Sequence, residues 1–388
     1  MPWWPAAGVP RNAGAWLMTV AKRRGVDLFR RNRRLERGYE QIGRDLLAVG
    51  EGTTPELDPA LSDDIDDDVL RLVFTACHPV LSVPARVALT LRLLGGLSTA
   101  EIARAYLVPE PTVAQRIVRA KTTIARANVP FEVPTGADRA RRLSSVLEVI
   151  YLIFNEGYSA TAGDDWMRPE LCGDALRLGR ILAQLTPQEP EVHGLVALME
   201  IQSSRVRART GPSGEPILLL EQERSRWDRL LINRGLAAFA RAEQLCREGS
   251  ERGPYALQAA IAACHARAFR AEDTDWANIV GLYSVLVKAP SPVVELNRAV
   301  AVSMALGPKA GLELVDALTL EPTMRRYHLL PSVRGDLLLK VGRPGEARVE
   351  FERAATLTRN VRERTLSLDR AREAAVQAGQ VVLRSGHD

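Results

Sequence analysis

Leu97-Ser98-Thr99-Ala100-Glu101-Ile102-Ala103-Arg104-Ala105-Tyr106-Leu107-Val108-Pro109-Glu110-Pro111-Thr112-Val113-Ala114-Gln115-Arg116-Ile117-Val118-Arg119-Ala120-Lys121 reads as two short helices joined by a tight turn. Ser98 precedes a periodic segment and Glu101 follows three residues later, the pattern in which side chain and backbone cap each other at a helix start. Ile102 and the small Ala103 share a face suited to close helix approach. Leu107-Val108-Pro109 ends the run, because the residue before a proline is pushed out of the helical region. Glu110, Pro111 and Thr112 suit a first helical turn, and Val113, Ile117 and Ala120 repeat at helical spacing as an inward stripe. Thr112, Gln115, Arg116, Arg119 and Lys121 are left for the opposite face. In a recognition helix, Gln and Arg near the N-terminus meet base edges while later Arg and Lys meet phosphates, and this segment has that distribution. An ordinary helical hairpin with a solvated polar face is the other reading of the motif taken alone.

Upstream, residues 16–37 carry Lys22, Arg23, Arg24, Arg30, Arg31, Arg33, Arg34 and Arg37 against only Asp27 and Glu36. Trp16, Leu17, Val20, Val26 and Leu28 sit among them, so the expectation is an amphipathic helix with a packed side. Its charge favours a polyphosphate through counterion release, and Trp16 is placed to stack on an unpaired base. The alternative is a solvated face around one buried tryptophan.

The order of basic tryptophan helix, polar linker and helix-turn-helix resembles an extracytoplasmic-function (ECF) sigma factor of bacterial RNA polymerase. The resemblance implies that Arg23, Arg24 and Asp27 fall on the helix recognising the minus 10 promoter element, with Arg23 where the family more often has asparagine. It likewise implies that Thr112, Gln115, Arg116 and Arg119 fall on the helix recognising the minus 35 element. The family's first domain begins with clamp-binding helices that do not precede Trp16 here, so a start codon further upstream is the expectation.

The chain has 388 residues and a net charge of +5, with its basic density concentrated near the N-terminus. No apolar run approaches a membrane span and no export signal opens the sequence, which points to a cytoplasmic protein. Cys77, Cys172, Cys246 and Cys264 are too scattered for a zinc site and are expected to be reduced core residues. Cys77-His78 and Cys264-His265 diverge by about 100° on a helix and cannot easily share a metal. Neither a metal nor a cofactor is implied, and no spacing supports an active site. Residues 51–68 read as a linker, its Gly, Thr and Pro giving way to Asp63, Asp64, Asp66, Asp67 and Asp68, an acidic run that favours the dipole of a following helix over Val69 to Cys77. With a helix from Pro84 to Leu94, this completes a four-helix domain over 69–128, closed by Pro130 and Pro134.

Residues 135–388 read as helical throughout. Helices are expected over 139–155, 168–186, 189–208, 224–247, 253–268, 275–286 and 292–306, and the rest follows in pairs. Thr210 to Pro216 is a turn before the β-prone Ile217 to Leu220, which predicts a small projecting hairpin. Gly342, Ala347, Phe351 and Ala354 recur at the spacing of tetratricopeptide (TPR) helix pairs, echoed by Ala310, Leu314 and Ala317. Segments such as Asn155-Glu156-Gly157-Tyr158, Arg226-Trp227-Asp228 and Glu295-Leu296-Asn297-Arg298 resemble the large C-terminal extension of one sigma-factor group. Asn155, Glu156, Asp164, Asp165, Arg226, Trp227, Asp228, Glu295, Asn297 and Arg298 are the polar residues expected to line a groove, with helix caps and ion pairs as the alternative roles.

The expected architecture is therefore all-α: a partial sigma region 2 over 1–50, a sigma region 4 over 69–128 and a TPR-like extension over 135–388. The resemblance implies core RNA polymerase and promoter DNA as partners, with a protein or small ligand for the extension. A polymerase-independent helix-turn-helix regulator with a sensing solenoid is the rival reading.

Overall fold

The computed structural model describes residues 69–250, 252–287 and 291–385. The basic segment with Trp16, Lys22, Arg23, Arg24, Asp27, Arg30 and Arg31, and the linker 51–68, lie outside the described residues. Within them the chain is all-α. Its strands are the two-residue parallel pair β1 (Ala162–Gly163) and β2 (Arg359–Asn360), plus an isolated antiparallel bridge between Thr210 and Pro216.

The chain divides into two compact units, one running to Phe154 and taking in Gly173–Pro187, the other comprising Asn155–Cys172 and Gln188 onward. In the first, α1 (residues 69–76), α2 (Val83–Leu93), α3 (Thr99–Ala105) and α4 (Glu110–Arg126) enclose a core of Leu72, Phe74, Leu89, Leu91, Leu93, Leu94 and Ile102. The boundary expected between residues 128 and 135 does not divide the units. A short link leads into α5 (Gly136–Tyr158), whose first part belongs with α1 to α4. Arg86 on α2 explains why: its buried guanidinium donates to Ser145 Oγ and to Glu148 Oε2 at 2.9 Å, while Ser145 Oγ donates to Cys77 O at 2.6 Å. A buried guanidinium needs acceptors, and α5 supplies them. Most of α6 (Pro169–Leu185) joins the same unit, where Arg177 pairs with Asp174 at 2.6 Å.

The second unit is a succession of helices, among them α7 (Pro190–Ser204), α8 (Arg229–Arg247), α9 (Pro254–Arg267) and α10 (Trp276–Leu286). They are followed by α11 (Pro292–Leu306), α12 (Pro308–Leu318), α13 (Leu329–Lys340), α14 (Pro344–Leu357) and α15 (Val361–Ser385). Neighbours pack pairwise: α7 on α8, α11 on α12, α13 on α14, α14 on α15. Ala347, Phe351 and Ala354 are buried as expected. On α12 the packed stripe is instead Gly311, Leu312, Val315 and Leu318, leaving Ala317 exposed. Close approach selects the glycines here. A Cβ on Gly311 would lie 2.4 Å from Ser303 Cβ, and one on Gly335 would lie 2.8 Å from the Phe351 ring.

Two further expectations are corrected. The helix expected over 224–247 is broken at Trp227 and Asp228, because Asp228 caps α8, accepting from Leu230 N at 2.9 Å and Leu231 N at 3.1 Å. The hairpin is confined to the bridged turn from Thr210 to Pro216, and Ile217 to Leu220 forms no strand.

Asn360, fully buried, joins distant parts of this unit. Its Nδ2 donates to Ala160 O at 3.1 Å and Asp165 O at 3.0 Å, and its Oδ1 accepts from Arg362 N at 3.0 Å and Glu363 N at 3.3 Å at the start of α15. His265 on α9 is buried edge-on to Trp276, with ring centroids 5.2 Å apart, and burial, reinforced by Arg205 and Arg224, pulls its imidazole pKa down to about 3.

Arg86→Ala should lower the unfolding free energy by about 1–3 kcal/mol, since it removes the charge-assisted bond to Glu148 and the donor to Ser145 Oγ, leaving Ser145 only its bond to Cys77 O; denaturant titration reads the loss. His265 stays neutral when folded and charges when unfolded, so its contribution is complete above pH 6.5 and is lost as pH falls toward about 3. The denaturation midpoint of His265→Phe should accordingly fall less steeply with acid than that of the wild-type chain.

Candidate nucleic-acid interface

The α3–turn–α4 motif is pinned by three local devices. Ser98 N donates to Glu101 Oε2 at 2.7 Å and Glu101 N donates to Ser98 Oγ at 3.1 Å, the reciprocal cap that the spacing predicts. At the other end of α3, Val108 N donates to Ala103 O at 3.0 Å across Leu107, whose φ of 49° is left-handed. This is a Schellman-type helix end with leucine at the position that glycine usually takes, a conformation costing a β-carbon-bearing residue about 1 kcal/mol. Thr99 Oγ1 then donates to Glu110 Oε1 at 2.8 Å, tying the first turn of α3 to that of α4.

On α4, Val113, Ile117, Ala120 and Ile124 are buried. Gln115 and Arg119 are exposed, and Thr112 and Arg116 half-buried at the edge of the same face. Arg116 and Arg119 make no salt bridge among the described residues, so their guanidinium donors are open to an incoming anion. Two outward residues escaped the reading of the sequence. Val118 is 62% exposed and Thr122 is exposed, both on the side of Gln115 away from Arg119. A valine at helical spacing looks inward until the position of the core is known, and here it faces out. Lys121 is exposed as well, about 160° around α4 from Arg119 at about 100° per residue, on the flank beyond Val118.

The polar residues expected to line a groove in the extension are spread over α5, the loop after it, the segment before α8, and α11. Glu156 is ion-paired with Arg168 and accepts from Thr161 Oγ1 at 3.0 Å. Trp227 is 3% exposed and belongs to the core, and Asp228 is a helix cap. Glu295 and Arg298 pair with each other on α11, with Arg298 Nε 3.0 Å from Glu295 Oε2, leaving Asn297 exposed beside them. Asp165 contributes its backbone carbonyl to Asn360, Asp164 and Arg226 are exposed, and Asn155 is half-buried on α5. Local caps and ion pairs account for Glu156, Asp228, Glu295 and Arg298 of this set.

No cluster of histidine, cysteine and carboxylate residues suited to a metal occurs among the described residues. Cys77, Cys172 and Cys264 are buried and Cys246 half-buried, none in a disulfide, and burial pushes the Cys77 and Cys172 thiols up to about 12, which keeps them inert. No described helix is long and apolar enough to cross a membrane.

Residues 71–124, from α1 almost to the end of α4, match the Sigma-70, region 4 family, a DNA-binding domain of transcription initiation without catalytic chemistry. Residues 142–243 match a family of unknown function, DUF6596. The chain is also 44% identical over 367 residues to an uncharacterized protein of Rhizobium meliloti (strain 1021), covering 93% of this chain and 84% of that one.

Ser98→Ala should cost about 0.5–2 kcal/mol of stability through loss of the α3 cap, whereas Glu101→Gln, which preserves the reciprocal hydrogen bond, should cost much less. Denaturant titrations of the two variants measure the difference.

Proposed function

This chain belongs to the family of the Rhizobium meliloti protein and carries a Sigma-70 region 4 domain, and from that premise we propose that it is an ECF-type sigma factor directing core RNA polymerase to promoters in the cytoplasm. The observation that carries the reading is the outward face of α4: Gln115 and Arg119 exposed, with Thr112 and Arg116 alongside, on a helix whose opposite face is fully packed. In the proposed complex, Gln115 and Arg116 meet base edges of the minus 35 element, Arg119 meets phosphate and Thr112 fixes the entry of the helix. Val118 adds an apolar contact suited to a thymine methyl group.

The minus 10 element is assigned to residues 1–50, with Trp16, Lys22, Arg23, Arg24, Asp27, Arg30 and Arg31 holding the opened strand. The extension from residue 135 is assigned a regulatory role through a protein or small ligand. Support for its TPR-like character comes from the consecutive helix pairs α11–α12 and α13–α14, whose core includes Ala347 and Phe351.

The test is promoter binding and run-off transcription by core polymerase supplemented with the purified chain. Gln115→Ala and Arg116→Ala should each weaken minus 35 recognition by about 1–3 kcal/mol, and Arg119→Ala should weaken binding across sequences and lower its salt dependence. Lys121→Ala should change affinity by less than about 0.5 kcal/mol. A chain that binds duplex operator DNA alone and fails to associate with core polymerase would establish the polymerase-independent regulator instead.

A further inference from the structure

Three helices of the second unit, α8, α9 and α10, border an open cleft of about 400 Å³, within the size range of small-molecule sites. Its lining includes three arginines and one glutamate, an unusual excess for so small a space. Their arrangement is ordered. Along α9, residues 260, 264 and 267 line one wall at i, i+4 and i+7, and along α8 residues 239, 243 and 247 line another, so the walls run for about 10–12 Å at 1.5 Å per residue. Arg267 marks one end, its guanidinium 5.7 Å from the centroid of the Phe239 ring. Arg247 closes the last turn of α8, eight residues beyond Phe239, with Arg252 in the segment that follows. Arg252 is paired with Glu243, whereas Arg247 and Arg267 form no salt bridge among the described residues. Leu282 and Phe239 supply apolar surface to the cleft.

We infer that this cleft binds a small elongated dianion, one charged group at Arg267 and the other at Arg247 beside the Arg252–Glu243 pair, with an apolar body lying on Phe239 and Leu282. Two uncompensated guanidiniums match two negative charges, and the bidentate geometry of arginine suits carboxylate and phosphate groups equally. A monoanion engages only one end, and a dianion too short for the cleft leaves one arginine unmatched. The site does not rest on the promoter-reading assignment, since it concerns only what the second unit binds.

The experiment is a calorimetric titration of the full chain at fixed ionic strength with a length series, acetate, succinate, adipate and suberate, alongside hexane-1,6-diyl bisphosphate. The expected result is saturable binding to one of the longer dianions at least about tenfold tighter than to acetate, the size of effect that one charge-assisted contact supplies. Comparison of suberate with the bisphosphate then separates a dicarboxylate from a phosphorylated ligand. Arg267→Gln and Arg247→Gln, both at exposed positions and checked by circular dichroism, should each lose at least about tenfold in affinity. Arg325→Gln, an exposed charge removal outside the cleft, should retain it. Equal binding of acetate and the longer dianions, no saturable binding of any, or unchanged affinity in both cleft variants would overturn the inference.

Discussion

A buried guanidinium cannot be left without acceptors, and Arg86 is where that constraint organises the DNA-facing unit. Its partners Ser145 and Glu148 are about sixty residues away in sequence, and Ser145 passes the connection on to the carbonyl of Cys77 at the end of α1. The three groups make one chain of hydrogen bonds joining α1, α2 and α5. Buried networks of this kind rigidify a core by satisfying each other's polar groups. That requirement draws α5 onto the helices that carry the α3–α4 motif, and the compact unit consequently extends past the two prolines that look like its end. The match to DUF6596 begins at residue 142, inside the helix that Arg86 recruits.

The second unit meets the same requirement differently. Arg224 gives its Nη1 to the carbonyls of His265 and Ala268, both at 2.7 Å, and its Nη2 to Thr274 Oγ1 at 3.0 Å, with Trp227 4.9 Å beneath its guanidinium. Arg209 is placed over the rings of Tyr158 and Trp166, at 3.4 and 4.3 Å from their centroids, and burial draws its pKa down to about 10. Aromatic faces and backbone carbonyls thus replace carboxylates around these arginines. Asn360 works in the same manner from a neutral side chain, holding two carbonyls of the loop at residues 160–165 while capping α15. Part of the set that resembled a ligand groove, Glu156, Asp228, Glu295 and Arg298, is used in such internal bonding, while Arg247 and Arg267 of the α8–α9–α10 cleft have no ion-pair partner among the described residues.

Legibility followed range. The α3 cap, the turn before Pro109, the inward stripe of α4 and most helices of the extension were readable because each depends on residues within one or two turns. Val118 was overlooked because an apolar residue at helical spacing looks inward until the core is located. The seam on α12 was read one position too early, at Ala310 in place of Gly311, since both are small and only the approach of Ser303 distinguishes them. The cleft was invisible because its arginines come from three separate segments, each unremarkable alone.

The sequence by itself determined an all-α chain with a capped helix-turn-helix over 98–126, its packed and polar faces, and a helical extension, because caps, prolines and 3.6-residue periodicity act locally and need no tertiary partner. Only the tertiary structure decided that α5 belongs with the DNA-facing helices, that Trp227 is core and Asp228 a cap, and that two unpaired arginines share one cleft. Those outcomes depend on satisfying buried charge and polar groups between residues far apart in the chain, which no local pattern encodes.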